Sequence, residues 1–299
     1  MSELAEKVKI SIERLKAFEP EDGYYLAFSG GKDSVVCKAL MDMAGVKYDA
    51  TYRVTSVDPP ELVQFIRDKH PDVKREVPKD KDGKPITMWN LIPRKMYPPT
   101  RVARYCCQYL KENAGDGRMT VTGVRWAESN ARKANQGIVT LMTRRNQAKD
   151  VEDHPDFRRT NRGGVILVND NDNSRRMVEQ CFKRHRTSVN PIIDWTDSDV
   201  WTFIRSENVP FCGLYEEGFT RLGCIGCPMV GTKTRERQFV RWPKYKGSYL
   251  RAFQKMLDVC AENGRPWRAR NSPHDVFNCW MEYDILPGQM DLFAEDSDE

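Results

Sequence analysis

The 299-residue sequence predicts an α/β fold, in which a parallel sheet carries helices on both faces and a helical C-terminal region follows. Two observations lead to this prediction. Short apolar segments alternate with segments of helical periodicity, as is typical of parallel sheets that helices cover. The first apolar segment also passes through a glycine-containing loop directly into a helical segment.

The predicted strands are short, mostly apolar segments. They are residues 24–28, 48–54, 73–77, 119–124 and 165–168. The predicted helices have apolar residues at helical spacing, and Thr196 is a suitable N-cap for one of them. They are a charged amphipathic helix within residues 1–18, then residues 34–44, 61–69, 197–207, 234–240 and 249–262.

The composition is that of a globular protein with a sizeable core, because 39% of the residues are hydrophobic and 10% are aromatic. The N-terminus lacks the apolar centre of a signal peptide, and no segment has the roughly 18 uninterrupted apolar residues of a membrane span. We therefore expect a cytoplasmic protein without a membrane partner. The formal net charge of +5 is compatible with nucleotide or nucleic-acid partners.

Composition shifts along the chain predict its domains. We expect residues 1–230 to form one domain with a basic insertion near residues 140–186, in which residues 146–164 predict a long loop. Residues 231–285 are expected to form a helical extension, rich in basic and aromatic residues, that packs on this domain. Residues 286–299 are acidic and predict a flexible tail.

The loop Ser-Gly-Gly-Lys-Asp-Ser, from Ser29 to Ser34, follows the first predicted strand and opens a helix. At such a position, backbone N–H groups and the helix dipole favour an anion. Gly30 and Gly31 allow close approach, Lys32 adds a positive charge, and the serine hydroxyls can donate hydrogen bonds. The loop is not a Walker A motif, because Asp33 follows the lysine. The sequence therefore predicts a phosphate or pyrophosphate site.

Nine cysteines in a chain expected to be cytoplasmic do not predict a disulfide framework, because that compartment is reducing. Three of them lie in segments of helical periodicity, where a cysteine usually acts as a small buried apolar side chain. These are Cys37, Cys181 and Cys260.

Two cysteine pairs carry a stronger signal: Cys106-Cys107, and the Cys-x-x-Cys motif formed by Cys224 and Cys227. Together they supply enough thiols for a structural zinc ion or a 4Fe-4S cluster. Adjacent cysteines fit zinc less well, because zinc sites usually separate paired ligands by about two to four residues. Unliganded core cysteines are the third interpretation.

Three further stretches occur in a family-like order. Residues 123–132, GVRWAESNAR, are similar to a Gly-x-Arg-Arg-x-Glu-Ser-x-x-Arg segment, with Trp126 in place of one arginine. Residues 190–204, NPIIDWTDSDVWTFI, are similar to an Asn-Pro-(apolar)-x-x-Trp-x-x-x-Asp-Val-Trp segment, and residues 214–228, LYEEGFTRLGCIGCP, to a cysteine-bearing stretch. With the loop described above, which looks like a PP-loop, these motifs resemble the phosphoadenosine phosphosulfate reductase branch of the adenine nucleotide alpha-hydrolase superfamily. The resemblance covers roughly residues 24–228 and implies the Rossmann-like fold of that superfamily.

The resemblance implies roles for individual residues. Its catalytic set corresponds to Lys32, Asp33, Arg125 and Arg132. Cationic side chains suit phosphate or sulfate, and Asp33 is expected to orient Lys32 or to help hold Mg²⁺. Its nucleotide-binding set corresponds to Ser29, Gly30, Gly31, Lys32, Asp33, Ser34, Asp58, Gly123 and Glu128, with Asp58 near the nucleoside. A solvated surface position is the alternative for both arginines and for Asp58.

The resemblance also extends to the cysteines. In this family, a Cys-Cys pair followed by a distant Cys-x-x-Cys resembles the 4Fe-4S ligand set of the members that use adenylylsulfate. It implies that Cys106, Cys107, Cys224 and Cys227 hold a 4Fe-4S cluster.

One departure separates the chain from the assimilatory reductases that it resembles. Those enzymes end in a mobile Glu-Cys-Gly-(Ile/Leu)-His tail whose thiolate attacks the nucleotide sulfur, whereas this sequence ends in LPGQMDLFAEDSDE. The remaining candidate thiols are Cys212, which we interpret as part of a turn, and Cys279, which we expect to be buried. Reduction of a sulfonucleotide by the usual route is therefore not the leading interpretation.

Our leading hypothesis is a PP-loop enzyme that cleaves ATP between the α and β phosphates, with Mg²⁺, and adenylates a substrate so that a sulfur donor can displace AMP. Enzymes of this kind modify tRNA, and relatives of this branch serve DNA phosphorothioation. The alternatives are a reductase that releases sulfite from adenylylsulfate or its 3'-phosphorylated form, and a nucleotide-binding subunit without turnover. A cysteine desulfurase would be a suitable sulfur-donating partner.

Two sequence features favour a nucleic-acid partner, DNA or tRNA. Residues 132–186 are dense in arginine and lysine, and residues 232–249 interleave basic residues with tryptophan and tyrosine. Basic side chains can follow phosphates while aromatic rings stack on bases, although a solvated basic face is the alternative interpretation.

The segment from Gln289 to Phe293, QMDLF, resembles the short peptide by which bacterial DNA-associated proteins dock on the sliding clamp. An apolar anchor that folds back on its own domain is the competing interpretation.

Overall fold

The computed structural model describes residues 3–112, 115, 117–142, 155–160, 164–169, 171, 186–267 and 271–282. The predictions for Cys181, for most of the basic insertion and for the segment from Gln289 to Phe293 lie outside these residues.

The described strands form one mixed sheet in the order β3-β2-β1-β4-β8-β5-β7-β6. Their bounds are β1 Tyr24–Ala27, β2 Tyr48–Arg53, β3 Lys74–Glu76, β4 Thr120–Val121, β5 Val139–Met142, β6 Phe157–Arg159, β7 Val165–Leu167 and β8 Arg186–Val189. The strands from β3 to β8 in this order run parallel, whereas β5, β7 and β6 are each antiparallel to their neighbours.

The predicted α/β class is confirmed, but the sheet is not purely parallel. Residues 160–164 alone link β6 to β7, and such a link is too short for the crossover that parallel neighbours require. The predicted strand at residues 165–168 therefore belongs to an antiparallel arm. The region predicted as a long loop, residues 146–164, contains β6 where it is described.

Helices fill most of the connections between strands. Their bounds are α1 Glu3–Ala17, α2 Lys32–Ala44, α3 Pro60–Lys69, α4 Met88–Lys95, α5 Tyr105–Cys107, α6 Asn130–Asn135, α7 Asp197–Ser206, α8 Thr232–Arg241, α9 Pro243–Glu262 and α10 Pro273–Trp280. The predicted N-cap of α7 is confirmed, because the Thr196 hydroxyl accepts the N–H of Asp199 at 3.1 Å. Sequence periodicity misses α4, which contains Pro93 yet begins at a capping box formed by Thr87 and Asn90.

The chain divides into two compact units. The first comprises residues 1–54, 58–78 and 111–223 and contains the sheet with α1, α2, α3, α6 and α7. The second comprises residues 55–57, 79–110 and 224–299 and contains α4, α5, α8, α9 and α10. The boundaries expected from the sequence at residues 230 and 286 stay predictions.

Within the first unit, α1 braces the segment that precedes α7. Arg14 makes two hydrogen bonds to the carboxylate of Asp194, at 3.0 and 2.9 Å, and Lys7 pairs with Asp199 at 2.8 Å. The indole N–H of Trp195 donates to the Ser11 hydroxyl at 3.1 Å. These contacts fix the start of α7, which carries one of the site residues described below.

Within the second unit, aromatic rings form the core around α9. Tyr249 packs against Trp280 with ring centroids 4.7 Å apart, and Phe239, Phe253 and Phe277 surround this pair. All five side chains are buried. The five rings join α8, α9 and α10, and Trp89 connects α4 to them with its ring centroid 5.2 Å from that of Tyr249. None of the described helices has the length and apolar character needed to cross a membrane.

Candidate functional site

The loop between β1 and α2 has a backbone that only glycine suits at Gly30. Its φ is 72°, and a Cβ at this position would lie 2.8 Å from side-chain carbons of Leu62 and Ile66. Gly31 forms the N-cap of α2 and places no side chain over the helix start. The first N–H groups of α2 therefore lie behind a loop of small residues, as the sequence predicts for an anion cradle.

Serine hydroxyls fix the conformation of this loop. The Ser34 hydroxyl donates to the Gly31 carbonyl at 2.9 Å and accepts from the backbone N–H of Ser29 at 3.3 Å. The two hydroxyl oxygens lie 3.2 Å apart. The loop is thus closed on the first turn of α2 by its own side chains, and both serines also line a cavity.

A cavity of about 420 Å³ lies at the carboxyl ends of β1 and β4. β1 has β2 on one side and β4 on the other, and in open α/β sheets ligands bind beyond the strand ends at such a switch point. The volume suits a small organic ligand. The lining residues are Ala27, Ser29, Gly31, Lys32, Asp33, Ser34, Gly123, Arg125, Ala127, Glu128, Arg132, Asp197, Tyr215, Arg221 and Leu222.

A network of ion pairs lies at one side of this cavity. Arg125 donates to Asp33 at 2.7 Å and to Asp197 at 2.8 Å, and also to the carbonyl of Trp195 at 3.3 Å. Lys32 lies 3.5 Å from the Asp33 carboxylate and 3.3 Å from that of Asp197. The two cations and the two carboxylates therefore hold one another, so that the ammonium group of Lys32 is positioned from both sides.

The network explains the direction in which the pKa values of Arg125 and Asp197 are shifted. Burial disfavours the charged form of Arg125, but Asp33 and Asp197 outweigh this effect and the pKa of Arg125 is raised. Burial alone would raise the pKa of Asp197, but Lys32 and Arg125 outweigh it and this pKa is lowered. Arg125 and Asp197 are therefore both charged at neutral pH.

Arg125 does not take the solvated surface position that the sequence left open as the alternative. Its side chain is only 2% exposed, lines the cavity and is engaged by Asp33 and Asp197, and its contact with a phosphate stays a prediction. Its geometry is that of a residue that fixes Asp33 and Asp197 in place.

Arg132 lies in the same cavity with a carboxylate partner. Its guanidinium pairs with Glu128, which in turn accepts the backbone N–H of Arg125 at 3.2 Å. Burial lowers the pKa of Arg132, Glu128 opposes this effect, and the positive charge of Arg221 adds to it. A second arginine therefore lies close enough to Arg132 to repel its charge.

Among the described lining residues, three with polar side chains were not in the predicted set: Asp197, Tyr215 and Arg221. The phenol oxygen of Tyr215 accepts the backbone N–H of Lys32 at 2.8 Å, at the start of α2. Burial raises the pKa of Tyr215, so the phenol stays protonated and keeps a hydrogen to donate. All three lie in or beside family-like stretches of the sequence, which is the signal that points to them.

The structure brings most of the predicted nucleotide-binding residues to this cavity, but not all of them. Asp58 is 5% exposed, accepts a hydrogen bond from the Tyr52 hydroxyl at 2.5 Å, and is not among the lining residues. Gly30 shapes the loop without lining the cavity. The roles assigned to both residues stay predictions.

The four cysteines of the predicted cluster set all lie in the second unit. The pKa of Cys106 is raised first by its hydrogen bond with Cys107 and then by burial, and the charges of Cys107, Cys224 and Cys227 raise it further. The four thiols are therefore near neighbours. Yet in the described part of the chain no three Asp, Glu, His or Cys side chains stand in the arrangement of a preformed metal site.

The donor set nevertheless fits a group that takes four thiolates. Cys106 and Cys107 lie on α5. The turn from Cys224 to Cys227 packs closely on the aromatic cluster, as the distance of 2.7 Å between a Cβ placed at Gly226 and the Phe239 ring indicates. The Gly226 N–H donates to the side chain of Gln238 at 2.8 Å. Partly buried thiols on a braced turn are the donors that iron–sulfur clusters and structural zinc require.

Other cysteines are poorly suited to nucleophilic chemistry. Cys37 and Cys212 lie in the first unit, and both are buried. Burial raises the pKa of each thiol, which disfavours the reactive thiolate. No described cavity-lining residue is a cysteine.

Comparison with known proteins identifies the family. A model of the phosphoadenosine phosphosulfate reductase domain matches residues 23–230, which is more than half of the chain. The chain belongs to the phosphoadenosine phosphosulfate reductase family. The matched segment of this family member includes the loop, the cavity and all four cysteines of the predicted cluster set.

Individual relatives share shorter or weaker similarity with this family member. The adenosine 5'-phosphosulfate reductase of Neisseria meningitidis serogroup A is 50% identical over 53 residues, which is 18% of this chain and 22% of that protein. An uncharacterized protein of Methanocaldococcus jannaschii is 23% identical over 237 residues, which is 74% of this chain and 40% of that protein. The chain thus spans less than half the length of these curated relatives.

A crystal structure of phosphoadenylyl-sulfate reductase from Candida auris, in a phosphate complex, is also similar. It is 14% identical in sequence, with a TM-score of 0.41, and the match covers 75% of this chain and 96% of that one.

Proposed function

We propose that this family member binds ATP in the cavity and cleaves it between the α and β phosphates, so that an adenylated substrate and pyrophosphate form. A sulfur donor would then displace AMP from the adenylated substrate, or the adenylated substrate would otherwise serve the modification of a nucleic acid. The observation that carries the proposal is the loop from Ser29 to Ser34 at the start of α2, in which Asp33 and Asp197 hold the ammonium group of Lys32.

The loop supplies what a departing pyrophosphate needs. Small residues, the Asp33 N–H in the first turn of α2 and the Lys32 ammonium can stabilise the negative charge that develops on the leaving oxygens, whereas Tyr215 accepts the N–H of Lys32. The network fixes Lys32 before the ligand arrives, so little reorganisation is needed. Arg132 adds a further positive charge in the same cavity.

Magnesium fits this site through its carboxylates. Mg²⁺ prefers oxygen ligands and in nucleotide enzymes uses only about one or two carboxylates together with phosphate oxygens. Asp33 and Asp197 both line the cavity, and the Asp197 side chain is 64% exposed. These two residues would hold the ion, which would supply charge neutralisation for the phosphates.

Cys106, Cys107, Cys224 and Cys227 would hold a 4Fe-4S cluster in the second unit. Such a cluster supplies a redox-active or purely structural iron–sulfur group when bound. The chain's own residues brace the turn that carries two of the ligands, through Gln238 and through the Tyr249 hydroxyl, which donates to the Ile225 carbonyl at 2.9 Å.

A nucleic acid, DNA or tRNA, is the proposed acceptor. Along α8 and the first half of α9, exposed basic side chains outnumber acidic ones, with Glu236 as the acidic exception. The basic residues are Lys233, Arg237, Arg241, Lys244, Lys246 and Arg251. A stripe of this kind suits a phosphate backbone. A cysteine desulfurase as sulfur donor and a sliding clamp at Gln289 to Phe293 remain partner proposals.

A second candidate function is the release of sulfite from adenylylsulfate or its 3'-phosphorylated form. It is favoured by the 50% identity over 53 residues to a protein named adenosine 5'-phosphosulfate reductase. It needs a reactive thiol at the nucleotide, whereas the described lining residues include no cysteine, and Cys37 and Cys212 have raised pKa values.

The test is anaerobic. The purified protein receives ATP with Mg²⁺ or adenylylsulfate with a thiol reductant, and pyrophosphate and sulfite are assayed separately. We expect pyrophosphate from ATP, and a loss of about 100-fold or more in Lys32→Ala, the scale of removing one group that stabilises developing charge. Lys69→Ala, at the exposed end of α3, is the matched control.

Each other outcome contradicts the proposal. Sulfite in place of pyrophosphate would favour the reductase, and nucleotide binding without either product would favour a subunit that has no turnover of its own. Unchanged pyrophosphate release in Lys32→Ala would refute the assignment of the loop.

A further inference from the structure

The described lining of the cavity carries more cations than carboxylates. The cations are Lys32, Arg125, Arg132 and Arg221, and the carboxylates are Asp33, Glu128 and Asp197. The lining therefore has a net charge of +1, from four positive and three negative groups. A cavity with this balance attracts an anion.

Three of the four cations already have carboxylate partners. Arg125 and Lys32 each lie within ion-pair distance of both Asp33 and Asp197. In the same way, Arg132 pairs with Glu128. The net charge of the lining thus remains with Arg221, which among the described residues makes no ion pair and no hydrogen bond.

Arg221 is exposed to solvent, but its place in the cavity distinguishes it from an ordinary surface arginine. It lines the same cavity as the loop, and its charge repels that of Arg132, which has the effect of lowering the pKa of Arg132. An anion between two neighbouring guanidinium groups offsets the repulsion between their positive charges. Each guanidinium can bind phosphate or sulfate oxygens bidentately. Arg132 keeps its partner Glu128, so Arg221 is the group with free donors.

We infer that Arg221 binds an oxyanion of the nucleotide, a phosphate or a sulfate group, and that it therefore contributes to ligand specificity. The inference rests on the proposed function, because it assumes that the cavity is a nucleotide site. The oxyanion has several sources: the phosphates held by the loop, the α-phosphate, a 3'-phosphate or a sulfate on the α-phosphate.

Calorimetric titration of the purified 299-residue protein separates these sources. The probes are pyrophosphate, AMP, adenosine 3',5'-bisphosphate, adenylylsulfate and uncharged adenosine. Arg221→Gln is expected to bind at least one of the anionic probes about 10-fold or more weakly, on the scale of a charge-assisted hydrogen bond, and adenosine equally well. The smallest probe that shows the loss identifies the group that Arg221 holds.

Two further variants make the result specific. Arg221→Lys should restore part of the affinity, because it keeps the charge but loses the bidentate fork. Arg75→Gln, an exposed arginine on β3 that does not line the cavity, should bind every probe as the wild type does.

Two results would overturn the inference while leaving the proposed function in place. One is that Arg221→Gln binds all anionic probes with wild-type affinity. The other is that it loses adenosine affinity by the same factor, which would indicate a change of shape in place of a lost charge. A wild-type protein that binds none of the probes would overturn the nucleotide site itself, and with it both proposals.

Discussion

The Nε atom of Arg125 lies 2.7 Å from Oδ1 of Asp33, so a buried guanidinium ties the segment that follows β4 to the first turn of α2. Arg125 is almost fully buried, and removal of one partner from a buried ion pair leaves a charge without compensation. The contact therefore contributes both to the fold and to the position of the loop.

We predict strong energetic coupling between these two residues. Arg125→Met should lower the free energy of unfolding by about 3 kcal/mol. The double variant with Asp33→Asn should cost less than the sum of the single changes by more than about 0.5 kcal/mol. Urea denaturation of the four proteins measures this coupling.

Arg67 and Asp68 provide a matched control, because they form an exposed pair 3.0 Å apart with side chains 58% and 47% exposed. The same double-mutant cycle at this pair should give a clearly smaller coupling than at Arg125 and Asp33, because water screens two exposed charges. Equal coupling at the two pairs would mean that burial of Arg125 adds nothing to the interaction.

Gly123 allows β4 and α2 to approach each other. A Cβ at this position would lie 2.8 Å from the Cβ of Asp33 and 3.0 Å from its backbone carbonyl, and neither atom belongs to a flexible chain end. Gly123→Ala should therefore cost about 1–3 kcal/mol of stability through overpacking, and it should weaken pyrophosphate binding because Asp33 is displaced.

The control for this change is Gly213→Ala, since nothing lies within 4 Å of a Cβ at Gly213. Thermal unfolding and calorimetric titration with pyrophosphate measure the two effects. Wild-type stability in Gly123→Ala would show that the backbone adjusts freely at this contact.

The sequence predicts the loop well and the surrounding network poorly, and the reason is physical. Local patterns determine the glycine loop and the Thr196 cap, because their partners lie within a few residues. Asp197 lies 72 positions from Arg125, and Tyr215 lies 183 positions from Lys32. No spacing rule connects such residues, so only the folded chain shows that they meet.

The fold shows the same division. The alternation of apolar and helical segments predicts the parallel strands β1 to β4, but not the parallel strand β8. In the antiparallel arm it predicts β7 but not β5 or β6, which lie in or beside a polar, arginine-rich stretch without clear periodicity. In the same way, the arginine in a family-like motif predicts a charged site, but not that Arg125 is buried between carboxylates.

The cysteine set leads to a prediction about bound iron. The anaerobically purified protein should contain about four iron atoms per chain and absorb visible light, as a 4Fe-4S cluster does. Cys224→Ser should lose most of the iron, because one thiolate ligand is replaced by a weak hydroxyl donor. Iron analysis and the visible absorption spectrum measure the outcome.

Cys279→Ser is the matched control, because Cys279 is a partly buried thiol of the same unit outside the predicted ligand set. It should keep the iron content of the wild type. Zinc in place of iron, or equal metal content in Cys224→Ser, would contradict the cluster assignment.

His70 should make stability depend on pH. It lies between Phe28 and Phe65, with ring centroids 4.9 and 5.2 Å away, and in the described structure its buried Nε2 has no hydrogen-bond partner. Burial lowers the pKa of His70 below its ordinary value of 6.5, and the nearby Lys38 lowers it further, against smaller opposing effects of Asp72 and Asp42.

The unfolded chain therefore binds a proton at His70 at a higher pH than the folded protein does. The free energy of unfolding should fall as the pH decreases below about 6.5, and it should stop falling below the pKa that His70 has in the folded protein. Each unit of difference between the folded and unfolded pKa of His70 corresponds to about 1.4 kcal/mol. His70→Phe should flatten this part of the profile, because it removes the titrating group and keeps an aromatic ring.

His274→Gln, at an exposed histidine of α10, should leave the profile unchanged. Urea denaturation between about pH 7.5 and 5 measures the slopes, and a wild-type slope in His70→Phe would assign the pH dependence to other groups.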